Sequence, residues 1–160
     1  MSLPLVEEIR PAPDPVEACA RFVGAAHVTF LDSVSGFGRL GAHSFLCADP
    51  FLVIRSKGRV LEQVGPRGAE RALGDPFETL RARLREFPAE TLRDLPPFQG
   101  GAAGYFGYDL AHHVERLPSP TFDDLALPDL DVGFHDWVLA WDHAADRCWL
   151  ISNGRPETDR

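Results

Sequence analysis

Residues 97–110, PFQGGAAGYFGYDL, place four glycines at 100, 101, 104 and 107 among Tyr105, Phe106 and Tyr108, with Asp109 close behind. Such a run has two physical readings. A phosphate cradle needs GxGxxG between a strand and a helix, or GxxxxGK followed by Ser or Thr, so that backbone amides and a lysine converge on the phosphates. Neither spacing occurs, and no lysine follows these glycines. The other reading is packing: a residue without a Cβ lets a second sheet or a helix come close to an extended strand, while aromatic rings fill the sides. The stretch is therefore expected to be a strand built for close approach.

The rest of the chain supplies a globular setting for that strand. At 160 residues with 44% hydrophobic side chains, one domain with its own core is expected. The net charge of -8 and the dispersal of the 16 Lys and Arg exclude a basic nucleic-acid-binding surface. The N-terminus has no positive region followed by an apolar run, and nowhere do 18 apolar residues occur together, so a cytoplasmic protein is expected. Cys19, Cys47 and Cys148 are odd in number and widely spaced, which fits reduced structural thiols rather than a disulfide framework or a zinc site.

Local signals favour strands interrupted irregularly by helices. Residues 1–13, with three prolines and no periodicity, read as an irregular arm, and 14–160 as the domain. Asp14, Pro15 and Glu17 open a short helix, and Asp75, Pro76 and Glu78 repeat the pattern before Phe77, Leu80, Leu84 and Phe87, an apolar stripe suited to lying on a sheet. Strands are expected at 27–31 and on both sides of turns at Asp49-Pro50 and Lys57-Gly58, with a glycine-rich loop at 33–41. Residues 108–117 read as a helix stopped by Pro118, 119–131 as an aspartate-rich connector, and 133–153 as a hairpin turning at 142–147. The expected class is α+β: largely antiparallel sheets packed as a sandwich, with a few helices.

No catalytic constellation emerges from spacing. Adjacent His112 and His113 point about 100° apart on a helix and do not share a metal. His135, Asp136, Asp142 and His143 can be drawn as a metal site across a hairpin, but turn aspartates serve the hairpin end equally well. Trp137, Trp141 and Trp149 read as core. There is no GxSxG elbow, and no carboxylate pair is marked by an apolar pocket.

Three longer motifs carry a resemblance. LPPFQGGAAGYFGYDLAHHVERLP, LPDLDVGFHDWVLAWDH and FLDSVSGFGRLGAHSFLCADP, within residues 28–153, resemble the N-terminal part of the chorismate-utilising enzymes that include component I of anthranilate synthase and of aminodeoxychorismate synthase. PFQGG, FGYDL and HDW look most like the aminodeoxychorismate (para-aminobenzoate) branch. The resemblance implies a part in converting chorismate and ammonia to 4-amino-4-deoxychorismate for folate, with ammonia from a glutamine amidotransferase subunit and Mg2+ as cofactor. The family's catalytic lysine stretch and magnesium-binding glutamates belong to a C-terminal chorismate-binding domain and do not occur in this sequence. The resemblance therefore implies that these residues act as a first domain, catalytically silent alone and holding no metal.

It also implies a tryptophan pocket, with Ser33 as the loop serine and Leu40, Gly41, Ala42 and His43 as the segment that closes over the ligand. A hydroxyl and loop amides suit the charged ends of an amino acid. An apolar face left for the second domain would also favour pairing of two copies. Two alternatives stay open at this level: a non-catalytic interaction or tryptophan-binding module, and the corresponding domain of anthranilate synthase component I.

Overall fold

The structure is a computed structural model and describes residues 4–33, 41–89, 91–118 and 122–156. Along the chain run β1 (Leu5–Ile9), α1 (Pro15–Ala20), β2 (Thr29–Leu31), β3 (His43–Cys47), β4 (Leu52–Lys57), β5 (Val60–Gly65) and β6 (Gly68–Leu73). Then follow α2 (Pro76–Glu86), β7 (Gly101–Phe106), a short 3-10 helix (Tyr108–His113), β8 (Leu130–His135), β9 (Trp137–Asp142) and β10 (Arg147–Ser152). The strands form two antiparallel five-stranded sheets, ordered β1-β10-β9-β3-β2 and β6-β5-β4-β8-β7. The first sheet takes strands from both ends of the chain, and the second is made from its middle. The α+β class read from the sequence is the observed one.

Both α-helices start where their caps place them. Asp14 accepts from the amides of Val16 and Glu17, and Asp75 from those of Phe77 and Glu78, each with a proline in the first turn. Helix α2 then covers one face of the second sheet, where Leu80, Phe77 and Phe87 meet Leu52, Ile54, Leu130, Val132 and Phe134. Leu84, read as part of the same stripe, stands in solvent at 46% exposure. It falls at the edge of the arc that touches the sheet.

Strand β9 is central to the first sheet, and its apolar run splits by parity. Leu139 and Trp141 join Leu46, Cys148 and Ala18 of α1 on one face. Val138 and Ala140 join Cys47, Trp149 and Ile151 on the other, against Phe45, Leu95, Phe98 and Ala103 of β7. All three tryptophans belong to this packing, as expected. The three cysteines are free; burial pushes the Cys47 thiol up to about 12 and the Cys148 thiol up to about 11. In the native protein, iodoacetamide near neutral pH is expected to alkylate Cys19 first, and all three only after denaturation. Equal rates at Cys19 and Cys47 in a mass-spectrometric time course would contradict that burial.

Four sequence expectations are corrected. The arm is not irregular throughout: residues 5–9 pair with β10 from Leu5↔Ser152 to Ile9↔Cys148, because an otherwise open edge offers backbone partners regardless of side-chain pattern. Glu8 fastens this strand by pairing with Arg147 and Arg10, whose guanidinium groups hold its carboxyl down at about 2. Second, β6 exists although every residue in it is exposed, which leaves no alternation to read. Third, the helix expected over 108–117 is a 3-10 turn ending at His113, with Leu110 its buried residue.

The fourth correction concerns the glycines. The stretch is indeed a strand, but at Gly104 the close approach is to the next strand of its own sheet, while Gly100 is approached by Asn153, which follows β10 of the other sheet. A Cβ on Gly104 would lie 2.7 Å from the Cα of Val132 and nearer still to the carbonyl oxygen of Asp131, both in β8. Gly107 likewise faces Asp129, whose carbonyl accepts its amide. No helix among the described residues is long and apolar enough to cross a membrane.

Candidate functional site

Pairing of β2 with β3 puts Leu31 opposite Phe45, so Asp32 and Ser33 emerge beside the start of β3. Pairing of β3 with β9 puts Ser44 opposite Trp141, so the turn after β9 arrives at the same place. Three chain segments therefore converge on Ser44, which is fully buried. Its Oγ lies 2.7 Å from Asp32 Oδ1, 2.8 Å from His143 Nε2 and 3.2 Å from the amide nitrogen of Ser33. The His143 amide donates to the Ala42 carbonyl at 2.9 Å, which closes the cluster from below.

Ser, His and Asp side chains meet here, but in the wrong order for a nucleophile. In a catalytic triad the imidazole bridges serine and carboxylate and takes the serine proton. Here the serine is the bridge, and its proton goes to the carboxylate. The cluster joins chain segments from β2, β3 and the turn after β9.

Of the residues expected to line a pocket, Ser33 and Ala42 are brought into this cluster through backbone groups, and Gly41 is buried beside it. His43 is not: alternation along β3 turns it to the opposite face from Ser44, where its ring stacks on Phe45 at 6.0 Å. Leu40 and most of the glycine-rich loop lie outside the described residues. Sequence reasoning missed Asp32 and Ser44 and drew His143 into a metal site instead. The one available signal was a serine at an inward position of an otherwise apolar strand, SFLC.

The metal site drawn from His135, Asp136, Asp142 and His143 does not form. The first pair sits at the β8–β9 junction and the second at the far end of β9. Asp136 accepts from Ser152 Oγ and the Arg155 amide, and Asp142 caps its turn by accepting from the amides of Ala144 and Ala145. His135 is 1% exposed with Nε2 unpartnered, and burial lowers its pKa by disfavouring the charged ring.

A second polar feature crosses the other sheet. Arg71, Glu62, Arg55, Asp131 and Tyr105 stand directly opposite one another on five successive strands. Arg55 donates to Asp131 Oδ2 at 2.9 Å and reaches His27 Nε2 at 2.7 Å. This fork is spent on internal partners, so the row staples the sheet. Beyond it, Tyr105, Tyr108, Phe122, Leu125 and Leu127 line an open groove of about 270 Å³ with Lys57, which pairs with Asp123 and Asp129. These five apolar residues are between 43% and 88% exposed.

Two antiparallel sheets, two α-helices and a serine-centred junction define an α+β fold. No protein-family model matches the sequence. The chain is 34% identical over 140 residues to anthranilate synthase component 1 of Acetivibrio thermocellus, covering 87% of this chain and 28% of that protein. It is 35% identical over 122 residues to aminodeoxychorismate synthase component 1 of Salmonella typhimurium, covering 76% of this chain and 26% of that protein. The fold matches the crystal structure of anthranilate synthase component I from Streptococcus pneumoniae with a TM-score of 0.55 and 22% identity, over 95% of this chain and 33% of that one. The chain belongs to the chorismate-binding family of component I proteins, and it spans about a third or less of the length of these relatives.

Proposed function

We propose that the chain is the N-terminal scaffold domain of an aminodeoxychorismate synthase component I, acting in the cytoplasm in the conversion of chorismate and ammonia to 4-amino-4-deoxychorismate for folate. The observation that carries this reading is the 35% identity to the Salmonella typhimurium protein, joined to the motifs PFQGG and FGYDL, which bracket β7 at its two ends. In this reading chorismate and Mg2+ are held by a chorismate-binding domain, and ammonia comes from a glutamine amidotransferase subunit. Among the described residues no three His, Cys, Asp or Glu side chains are grouped to hold an ion.

The chain's own contribution would be structural. β7 is an edge strand with one side unpaired, and the exposed aromatic groove lies beside it. Together they form a surface suited to the chorismate-binding domain, since large exposed apolar patches mark interaction sites. Without that domain the same surface is expected to pair two copies of the chain. Light scattering should then show a concentration-dependent dimer that Tyr108→Lys weakens, and a monomer at high concentration would count against it. Incubated alone with chorismate, Mg2+ and ammonium, the chain is expected to give neither aminodeoxychorismate nor anthranilate; either product in a chromatographic assay would overturn the scaffold reading.

The Ser44 junction favours a second role beside the first: a tryptophan pocket to which Ser33, Gly41 and Ala42 contribute, with His43 turned to the opposite face of β3. The convergence of the Ser33 amide and the Ala42 carbonyl on one buried junction supports it. Calorimetry with L-tryptophan at millimolar concentration tests it, and the absence of heat would remove it.

A further inference from the structure

We propose that β7 pairs antiparallel with β7 of a second copy of the chain across a two-fold axis at Tyr105, joining two five-stranded sheets into one continuous sheet. The inference deepens the docking surface described above and rests on that reading for the surface alone. Among the described residues four strands end a sheet: β1 and β2 in the first, β6 and β7 in the second. An edge strand leaves N–H and C=O groups unpaired on its outer side, and charged side chains are one means of keeping such an edge from joining its own copy. Two copies of one strand, related by a two-fold axis through the sheet, set opposite each other only residues of the same face, which are those whose numbers share parity. Centred on its middle, β1 therefore sets Glu7 against Glu7 of the second copy, and β6 sets either Glu70 against Glu70 or Arg71 against Arg71. Like charges directly opposite are destabilising. β2 has three residues, too few for a useful ladder. β7, GAAGYF, carries no charge.

Exposure fixes the register. Gly101, Ala102 and Ala103 are half-buried, with Ala102 against the α2 cluster and Ala103 against the first sheet, whereas Gly104, Tyr105 and Phe106 are exposed. Gly107 continues the extended backbone, with φ -71° and ψ 157°, and its amide donates inward to the Asp129 carbonyl. The accessible stretch thus centres on Tyr105. About that axis Tyr105 meets Tyr105 of the second copy, Gly104 meets Phe106, and Ala103 meets Gly107. Each large ring then lies opposite another ring or a residue without a Cβ, and aromatic pairs and aromatic cover over glycine both favour strand pairing. The Tyr105 hydroxyl already donates to the Pro128 carbonyl at 3.1 Å, so the ring is held before a partner arrives. Tyr108, Phe122, Leu125 and Leu127 of the adjoining groove add apolar surface beside the junction. Each copy has a net charge of -8, so salt strengthens the pairing by screening long-range repulsion.

Disulfide trapping on the whole chain tests the axis. Cys47 and Cys148 are buried, so a Cys19→Ser background leaves no accessible thiol among the described residues. In it, Tyr105→Cys is expected to give a disulfide-linked dimer under mild oxidation, because a residue on the axis faces its own copy within disulfide reach. Ala69→Cys on β6 is expected to stay monomeric in non-reducing electrophoresis. In sedimentation, Tyr105→Lys, which sets two ammonium groups on the axis, should weaken dimerisation on the order of tenfold with its circular dichroism unchanged, and added salt should strengthen the wild-type dimer. Wild-type protein that stays monomeric at high concentration overturns the proposal, and so does Tyr105→Cys that cross-links no faster than Ala69→Cys. If Tyr105→Lys does not fold, the cross-linking comparison decides. Aminodeoxychorismate or anthranilate formed by the chain alone would sink the scaffold reading and leave the cross-link in place, so the two failures read differently.

Discussion

Gly104→Ala is expected to lower the unfolding free energy by about 3 kcal/mol, the upper part of the range for overpacking. The added methyl carbon would sit 2.7 Å from Val132 Cα and closer to the Asp131 carbonyl. Both are backbone atoms of β8, which is paired on its other side with β4 from Leu52↔Phe134 to Ser56↔Leu130. A flexible side chain could swing away; a strand locked between two neighbours cannot, so β7 itself must lift. Gly24→Ala is the control, because nothing lies within 4 Å of its Cβ position, and a change within about 0.5 kcal/mol is expected there. Urea titrations with an unchanged slope compare the two directly. If Gly104→Ala matched Gly24→Ala, the account of the glycine stretch would be wrong. Lifting β7 would also carry away the edge proposed to meet the chorismate-binding domain, so self-association should fall together with stability.

The other large effect is expected at Phe134. Its side chain is 1% exposed, with Phe51 and Phe87 edge-on at ring centroid distances of 6.2 and 6.1 Å, and those two rings meet each other at 5.0 Å. The ring thus closes a triad that joins β8, the turn before β4 and the end of α2. Phe134→Ala should cost about 3–5 kcal/mol, since transfer and cavity terms add where the walls cannot collapse. Leu84→Ala removes a residue of the same helical stripe, yet at 46% exposure it should change stability by no more than about 0.5 kcal/mol. The pair separates packing from pattern: equal losses would mean that α2 lies on the sheet differently.

That contrast shows how far local pattern reaches. The caps at Asp14 and Asp75 were legible because a cap bonds to amides two and three residues ahead, within a single turn. The β9–β10 hairpin was legible because both strands and their turn are contiguous. β1 was not, because its reason for being a strand is an open edge of β10, roughly 140 positions away. β6 was hidden differently: with no buried face it has no pattern, and only the ladder to β5 defines it.

The candidate site divides along the same line. Ser33, Gly41 and Ala42 were marked by resemblance, and the structure gathers them. His43, marked in the same way, turns to the opposite face, because neighbours on a strand cannot share one. Asp32, Ser44 and His143 lie within the quoted motifs, but no spacing along the chain marks them as neighbours. They meet because β2 and β9 flank β3 and bring their ends to the same level.

The amino-acid order alone determined the strand-rich class, the helix starts, the packing of the tryptophans into the core and the family, since each depends on residues near one another along the chain. Tertiary structure decided which strand the glycines let in, which histidine reaches the serine, and where two edges find partners. Those outcomes depend on register between distant segments, and register is settled by what packs against each face once the chain has closed.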